Sequence, residues 1–175
     1  VIEEALELLH ATIPSTIEIR HSLLTEASVL ADPTQLHQIV INLCTNAEYA
    51  MRTTGGILTI TLDDFEVNEG NVQSVSGLQV APHVRFTVQD NGTGMSPEVL
   101  ERMFDPFFTT KPIGEGSGMG LAVVHGIVTN HGGALLVESA VGQGTKIEVY
   151  LPAIPSPVCE GAGAHDPIPH GKATI

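Results

Sequence analysis

An aspartate beside two glycines is the first group of residues that could do chemistry, in the segment DNGTG over residues 90–94. Apolar and polar residues alternate from Val84 to Val88, which predicts a strand, and the period of two places Asp90 on its apolar face. A buried carboxylate is costly unless it is paired, and the amino group of a ligand such as adenine would pair it. Gly92 and Gly94 would let a flat ring approach the backbone. The alternative is an aspartate that caps a turn.

Two asparagines form the second candidate group. Asn42 and Asn46 lie one turn apart in a helix that is predicted to begin after Asp32-Pro33 and to run to about Arg52. Asparagine is a poor residue inside a helix, because its amide competes for backbone hydrogen bonds. The two neutral oxygens could bind a hard cation or a polar ligand. Alternatively, the two amides bond neighbouring loops.

A glycine-rich loop is the third group. Four alternate glycines, from Gly114 to Gly120, precede a predicted helix. Backbone N–H groups at such a place can cradle an anion together with the helix N-terminus. Lys111 lies in the same loop and is the only Lys or Arg between Arg102 and Lys146. No Gly-Lys-Ser/Thr follows, so the spacing is not that of a P-loop. The alternative is a flexible surface loop.

Composition narrows the possible partners. The 175 residues carry 7 Lys+Arg and 20 Asp+Glu, a formal net charge of −13, which disfavours a nucleic-acid backbone or an anionic membrane as a partner. An acidic chain can still hold a polyphosphate through backbone dipoles and Mg²⁺. The sequence contains no apolar run long enough for a membrane span and no visible signal peptide. Cys44 and Cys159 form no disulfide framework, which is typical of a reducing cytoplasm.

These groups must be positioned by an alternation of strands and helices. Apolar periodicity predicts helices over 1–12, 33–52, 97–103 and 118–130. It predicts strands over 15–24, 29–30, 58–62 and 84–88, and a hairpin of 134–140 with 145–151. Loops fill 66–82 and 104–117. Because each strand has one apolar face, we predict an α/β (α+β) two-layer sandwich: a mixed sheet of about five strands with three main helices on one face.

Taken in order, the motifs resemble the catalytic ATP-binding (HATPase) domain of sensor histidine kinases, in the GHKL superfamily. The matching segments are DPTQLHQIVINLCTNAEYAM, DNGTGM, FDPFFTTK, GEGSGMGLAVVHGIVTNHGG and GQGTKIEVYLP. Each is weak alone, and five in one order carry the resemblance. The likeness is greatest to hybrid kinases, whose nucleotide-binding domain is often followed by a receiver domain. The resemblance implies a catalytic domain over 1–152, with 1–14 as the end of a connection from an absent histidine domain, and a linker or flexible tail over 153–175.

The resemblance implies a role for each matching residue. Asn46, with Asn42 nearby, would hold the Mg²⁺ that bridges the phosphates, and Asp90 would accept a hydrogen bond from the adenine amino group. Phosphoryl transfer would work by positioning, with Asn42, Asn46 and Lys111 as candidates. The expected nucleotide-binding residues are Asn42, Asn46, Asp90, Gly92, Gly94, Met95, Phe104, Thr110, Lys111, Gly116, Ser117, Gly118, Met119, Gly120, Leu121 and Thr145.

A mobile lid over about 105–117 is also implied, with one end anchored by Phe104, Phe107 and Phe108. One departure lies after the second asparagine, where many relatives have a Lys or Arg within four residues. Here Glu48 and Tyr49 follow and are interpreted as ordinary flank residues, which puts one phosphate contact in doubt.

Asn42 stands where ATP-hydrolysing GHKL proteins place a glutamate that activates water. An amide cannot act as a general base, so the resemblance implies transfer of the γ-phosphate to a histidine in two-component signal transduction. None of the eight histidines has the context of an acceptor. The acceptor is therefore expected on an upstream dimerisation domain, with a response-regulator receiver as a second partner.

The fragment alone is expected to be monomeric, cytoplasmic and unable to autophosphorylate, without direct nucleic-acid or membrane contact, although a full-length protein of this type can carry a membrane anchor. Three alternatives stay open: a GHKL ATPase, a regulatory nucleotide-binding module without kinase activity, and a serine kinase of the anti-sigma type.

Overall fold

The computed structural model describes residues 1–68, 78–112 and 114–154. Its helices are α1 (Ile2–Thr12), α2 (Pro33–Met51), α3 (Pro97–Arg102) and α4 (Gly120–Asn130). Its strands are β1 (Ile17–Leu23), β2 (Ser28–Val29), β3 (Gly56–Glu66), β4 (Pro82–Asp90), β5 (Ala134–Ala140) and β6 (Gly144–Ile154). Most of the loop predicted over 66–82 and all residues beyond Ile154 in the predicted tail lie outside the described residues.

The predicted mixed sheet is confirmed. The strand order is β1-β3-β4-β6-β2, and β5 also pairs with β6. β1 and β3 are parallel, whereas the other described pairs are antiparallel. The short β2 corresponds to the strand predicted over 29–30, and with it the sheet has six strands, against the prediction of about five. It pairs Ser28 and Val29 with Ile154 and Ala153, so β6 stays in the sheet for two residues past Pro152.

Register divides the sheet into two unlike faces. The cross-strand set Ile60, Val88 and Ile147 lies on one face, and directly paired residues share a face. On this face α1, α2 and α4 build the core, with Leu43 and Val124 almost fully buried. The helices therefore pack on one face, as predicted. The opposite face carries ion pairs and a small apolar cluster of Val67, Leu78 and Tyr150.

Local signals explain where α2 begins and ends. Asp32 is the N-cap, and its Oδ1 accepts a hydrogen bond from the Thr34 N–H at 2.8 Å, with Pro33 as the first helical residue. The helix ends at Met51, whose carbonyl accepts from Gly55 N–H at 2.8 Å. Between these ends, the apolar stripe of α2 packs on the sheet and leaves Asn42 and Asn46 at the flank of the core.

Candidate functional site

A cleft of about 350 Å³ opens between α2, the end of β4, the 104–119 loop and the start of α4. Most of the residues that the sequence analysis selected line this cleft: Asn42, Asn46, Asp90, Gly94, Met95, Thr110, Lys111, Gly116, Ser117, Gly118, Gly120, Leu121 and Thr145. Gly92, Phe104 and Met119 do not line it. The cleft thus joins five segments that are distant in sequence.

Asp90 is the buried carboxylate of the cleft. It is the last residue of β4, pairs with Leu58 and Thr145, and is only 6% exposed. Its Oδ1 accepts the Gly92 N–H at 2.8 Å. Burial raises the pKa of Asp90, and hydrogen bonds from the backbone of Gly92 and Thr145 counteract part of that rise. No cation of the described chain forms an ion pair with it.

The glycines beside Asp90 are required by the chain itself. A Cβ at Gly92 would lie 2.6 Å from the Ala50 carbonyl oxygen, because this loop packs directly on α2. Gly94 has φ +64°, and a Cβ there would lie 1.9 Å from the Ala140 carbonyl oxygen. Of the two, only Gly94 lines the cleft. Close packing of the loop explains both glycines, whether or not a flat ring approaches them.

Ser139 connects this loop to the β5–β6 turn and was missed by the sequence analysis. Its Oγ accepts a hydrogen bond from the Met95 N–H at 2.9 Å, donates to the Gly144 carbonyl at 2.9 Å and lies 2.9 Å from Thr145 Oγ1. These contacts fix Thr145 beside Asp90. The available signal was the predicted hairpin, which places Ser139 opposite Thr145.

The two asparagines have different surroundings. Asn46 Oδ1 accepts a hydrogen bond from Lys111 Nζ at 3.1 Å, so it bonds a neighbouring loop, as the alternative interpretation held. Asn42 Nδ2 is buried and has no hydrogen-bond partner within the described residues. A buried donor without a partner costs about 1–3 kcal/mol. Because Asn42 lines the cleft beside Gly120, a polar ligand there could satisfy this donor.

The glycine-rich segment closes the cleft and opens α4. The N-cap residue of α4, Met119, has no side-chain capping bond, so N–H groups of the first turn are available to an anion. Gly120 and Leu121 bring that turn to the cleft wall. Across the loop, the Phe107 N–H donates to the Gly118 carbonyl at 2.9 Å.

The expectation that three phenylalanines anchor the lid is wrong for one of them. Phe104 packs against the core, with its ring centroid 5.0 Å from that of His125. Phe108 lines the cleft and lies under the Arg102 guanidinium at 4.3 Å. Phe107 is 77% exposed with φ +67°, so only its backbone holds the loop.

The interpretation of Tyr49 as an ordinary flank residue is also wrong. Tyr49 lines the cleft, and its ring contacts two cations, Arg52 at 5.1 Å and Lys111 at 4.4 Å. Arg52 pairs with Glu48 at 3.2 Å and with Glu115 of the loop at 3.6 Å. Tyr49 lies three residues after Asn46, and this helical spacing was the signal for a shared face.

Lys111 is the cation of the cleft. Burial lowers its pKa, while the nearby carboxylates of Glu48 and Glu115 act in the opposite direction. The described residues contain no cluster of three His, Cys, Asp or Glu that could hold a metal by itself. The amide oxygen of Asn46 is a hard ligand of the kind that Mg²⁺ prefers, and in this structure it accepts a hydrogen bond from the Lys111 ammonium.

Comparisons with known proteins agree on one kind of domain. The profile of the family described as "Histidine kinase-, DNA gyrase B-, and HSP90-like ATPase" (HATPase_c) matches residues 31–155. Sensor kinase CckA of Brucella abortus (strain 2308) is 40% identical over 126 residues, 72% of this chain and 13% of that protein. Sensor histidine kinase ZraS of Salmonella typhi is also 40% identical over 126 residues, 72% of this chain and 23% of that protein. The chain therefore spans less than a quarter of the length of these relatives.

Solved structures give the same picture. The mycobacterial sensor histidine kinase MprB superposes with a TM-score of 0.68 at 29% identity, covering 89% of this chain and 93% of that chain. Full-length ShkA, solved in complex with AMPPNP, gives a TM-score of 0.66 at 28% identity, covering 87% of this chain and 29% of that chain. Among the described helices of this chain, none has the length and hydropathy needed to cross a membrane.

Proposed function

This chain belongs to the histidine kinase-, DNA gyrase B- and HSP90-like ATPase family, as an ATP-binding catalytic domain of the sensor histidine kinase type, and we propose that it binds Mg-ATP and transfers the γ-phosphate to a histidine on a separate dimerisation domain. In that step an imidazole nitrogen forms a bond to the γ-phosphorus with its lone pair. The bond from phosphorus to the bridging oxygen breaks, and ADP leaves. The dimerisation domain and a response-regulator receiver are the proposed partners in two-component signalling.

The observation that carries the proposal is the unpaired Asp90 carboxylate. A carboxylate that is 6% exposed and has no cation partner in the described chain is expensive. A ligand that donates an N–H to it would remove that cost, and the adenine amino group is such a donor. Thr145, fixed by Ser139, lies next to Asp90 and would contact the same ring edge, through a water. The AMPPNP bound to the similar protein ShkA supports a nucleotide as this ligand.

The opposite side of the cleft suits the phosphates. The ammonium of Lys111, the free donor of Asn42 and the first turn of α4 all present positive charge or N–H groups there. Asn46, with Asn42 beside it, would hold the Mg²⁺, which neutralises phosphate charge when bound. The residues of this chain supply position and charge, which is most of what phosphoryl transfer requires.

Asn42 separates this proposal from ATP hydrolysis. Its side chain is an amide, and the described residues that line the cleft include only two ionisable carboxylic groups, Asp90 and Glu115. Asp90 is held by backbone N–H groups, and Glu115 pairs with Arg52. With no carboxylate free to activate water, transfer to a histidine is the better match. A cytoplasmic location is proposed with it, since Cys44 is a free, buried thiol of the kind found in reducing compartments.

Calorimetric titration of the chain with ATP, with and without Mg²⁺, tests the nucleotide site. We expect Mg²⁺ to strengthen ATP binding. Asp90→Asn should weaken it about 10- to 100-fold, because the N–H of the new amide would face the N–H that the adenine amino group donates. Glu138→Gln is the matched control, since it also replaces a carboxylate by an amide. The Glu138 side chain lies on the other face of the sheet and is 64% exposed. Absence of binding by a folded wild-type protein would contradict the proposal.

Transfer itself needs the acceptor. The domain should phosphorylate an added dimerisation domain from a homologous kinase and leave the acid-labile, base-stable product that is expected of phosphohistidine. An acid-stable product would identify a serine kinase instead, and rapid release of phosphate without any partner would identify an ATPase.

A further inference from the structure

The ring of Tyr49 lies between two cations from different elements. Arg52, the residue that follows the end of α2, has its guanidinium carbon 5.1 Å from the ring centroid. Lys111, from the loop, has its ammonium nitrogen 4.4 Å from the same centroid. Both distances are within the range of cation–π attraction. Tyr49 therefore connects α2 to the loop that closes the cleft.

The two cations have different electrostatic roles. Arg52 is paired with Glu48 at 3.2 Å and with Glu115 at 3.6 Å, so its charge is balanced within the chain. Lys111 is different. Six Lys and Arg residues lie in the described parts of the chain, and five of them form ion pairs: Arg20, Arg52, Arg85, Arg102 and Lys146.

Lys111 is the sixth. The carboxylates of Glu48 and Glu115 lie near enough to act on its pKa, but neither forms an ion pair with it, and the two groups that it contacts are neutral. Its Nζ donates to Asn46 Oδ1 at 3.1 Å and rests on the Tyr49 ring. A carboxylate in place of the ring would also hold the ammonium, but it would cancel the charge and repel a phosphate. An aromatic face attracts the cation without adding a negative charge. The Lys111 charge is thus held in place and stays available to an anion.

We propose that Tyr49 is a positioning residue for nucleotide phosphates, which holds the Lys111 ammonium beside Asn46 so that it meets the terminal phosphate. The inference rests on the proposed function, because it assigns Tyr49 to the phosphate end of the same site. It predicts that Tyr49 affects affinity through Lys111 and according to the number of phosphates. A residue that merely supports the fold would affect all ligands alike.

The experiment is a double-mutant cycle read by calorimetry in Mg²⁺ with ATP, ADP and adenosine. Tyr49→Ala should weaken ATP binding by roughly three- to tenfold, the range expected for one partly buried cation–π contact. Adenosine binding should not change, and ADP should be affected less than ATP. Tyr49→Phe keeps the ring and should match the wild type. In a Lys111→Ala background, Tyr49→Ala should add little to the loss.

Three results would overturn the inference alone: ATP affinity unchanged in Tyr49→Ala, adenosine affinity lowered as much as ATP affinity, or an undiminished effect of Tyr49→Ala in the Lys111→Ala background. Thermal unfolding of each variant identifies any that fails to fold, and Tyr49→Leu then replaces Tyr49→Ala. A folded wild-type protein that binds no ATP would overturn the proposed function, and this inference with it.

Discussion

In the part of the chain that the structure describes, the sheet buries one carboxylate on each face, and the two have opposite surroundings. On the face away from the helices, Glu148 receives Lys146 Nζ at 2.9 Å, the Tyr150 hydroxyl at 3.1 Å and the Arg85 guanidinium at 3.8 Å. On the helical face, Asp90 receives only backbone N–H groups. Both side chains are almost fully buried, at 5% and 6% exposure. Burial alone therefore does not distinguish these two carboxylates, whereas the presence of a cation partner does.

The neighbours of Glu148 show how completely that face is paired. Asp63 holds the other side of the Arg85 guanidinium, and these interactions raise the pKa of Arg85. Burial, with the Glu148 carboxylate nearby, raises the pKa of Tyr150 to about 12. Among the described residues, the charges of this network, on Asp63, Arg85, Lys146 and Glu148, are paired within the chain. At Asp90 the protein instead accepts the cost of an unpaired charge, which a nucleotide can remove.

The largest effect is expected from a substitution of Glu148, the carboxylate that is paired with cations. Glu148→Gln should lower the free energy of unfolding by about 2 kcal/mol, because Lys146 and Arg85 lose the buried carboxylate with which they pair. The loss stays moderate because both cations are partly exposed to water. The affinity of the folded protein for ATP should stay at the wild-type value. Urea unfolding and calorimetry at one temperature give both numbers. A large loss of ATP affinity would show that the two faces are coupled.

A smaller effect is expected at Asn42, the other unsatisfied group of the cleft. Asn42→Ala should weaken Mg-ATP binding about fivefold, since one net hydrogen bond to the ligand is lost. The free energy of unfolding without nucleotide should not fall, because Asn42 Nδ2 has no partner to lose within the described residues. Gln38→Ala, an exposed site on the same helix, controls for helix propensity. Lower stability of Asn42→Ala relative to that control would contradict this account.

The smallest effect is a pH dependence of Asp90. Because burial raises its pKa in the folded state, the folded protein holds a proton in a pH range where the unfolded chain has released it. Lowering the pH through that raised pKa should therefore increase the contribution of Asp90 to the free energy of unfolding. ATP affinity should change in the opposite direction, since the ionised form accepts the ligand N–H.

This pH dependence is measured as a difference between proteins. Unfolding and ATP titrations from about pH 7.5 to about pH 5 are compared for wild type and Asp90→Asn, which cancels the other titrating groups. If the stability and the ATP affinity of the wild-type protein change with pH in the same way as those of Asp90→Asn, the Asp90 carboxylate does not titrate in this range.

Local signals in the sequence were sufficient for most of the fold and for thirteen of the residues that line the cleft. Asp32-Pro33 fixes the start of α2 by a capping bond within three residues, and strand alternation places Asp90 on the helical face. Neither depends on distant parts of the chain. The same reasoning predicted a short strand over 29–30 but not its partner, because the pairing of β2 with the end of β6 joins residues more than a hundred positions apart.

Several of the contacts that sequence reasoning missed join distant segments. Tyr49 looked like an ordinary flank residue because its cation partner Lys111 comes from a loop 62 positions later. Phe107 looked like an anchor because its motif is phenylalanine-rich, yet the chain turns it outward at φ +67°. Side-chain partners depend on how loops cross helices, which periodicity does not encode.

The central claim is that Asp90 serves a ligand while Glu148 serves the fold, and one paired measurement tests it most directly. Asp90→Asn and Glu148→Gln are each assayed for free energy of unfolding without nucleotide and for affinity toward Mg-ATP. The account predicts opposite patterns: Asp90→Asn keeps or gains stability and loses ATP affinity about 10- to 100-fold, whereas Glu148→Gln loses stability and keeps its affinity. If Asp90→Asn binds ATP like the wild type, or is the less stable of the two variants, the account is contradicted.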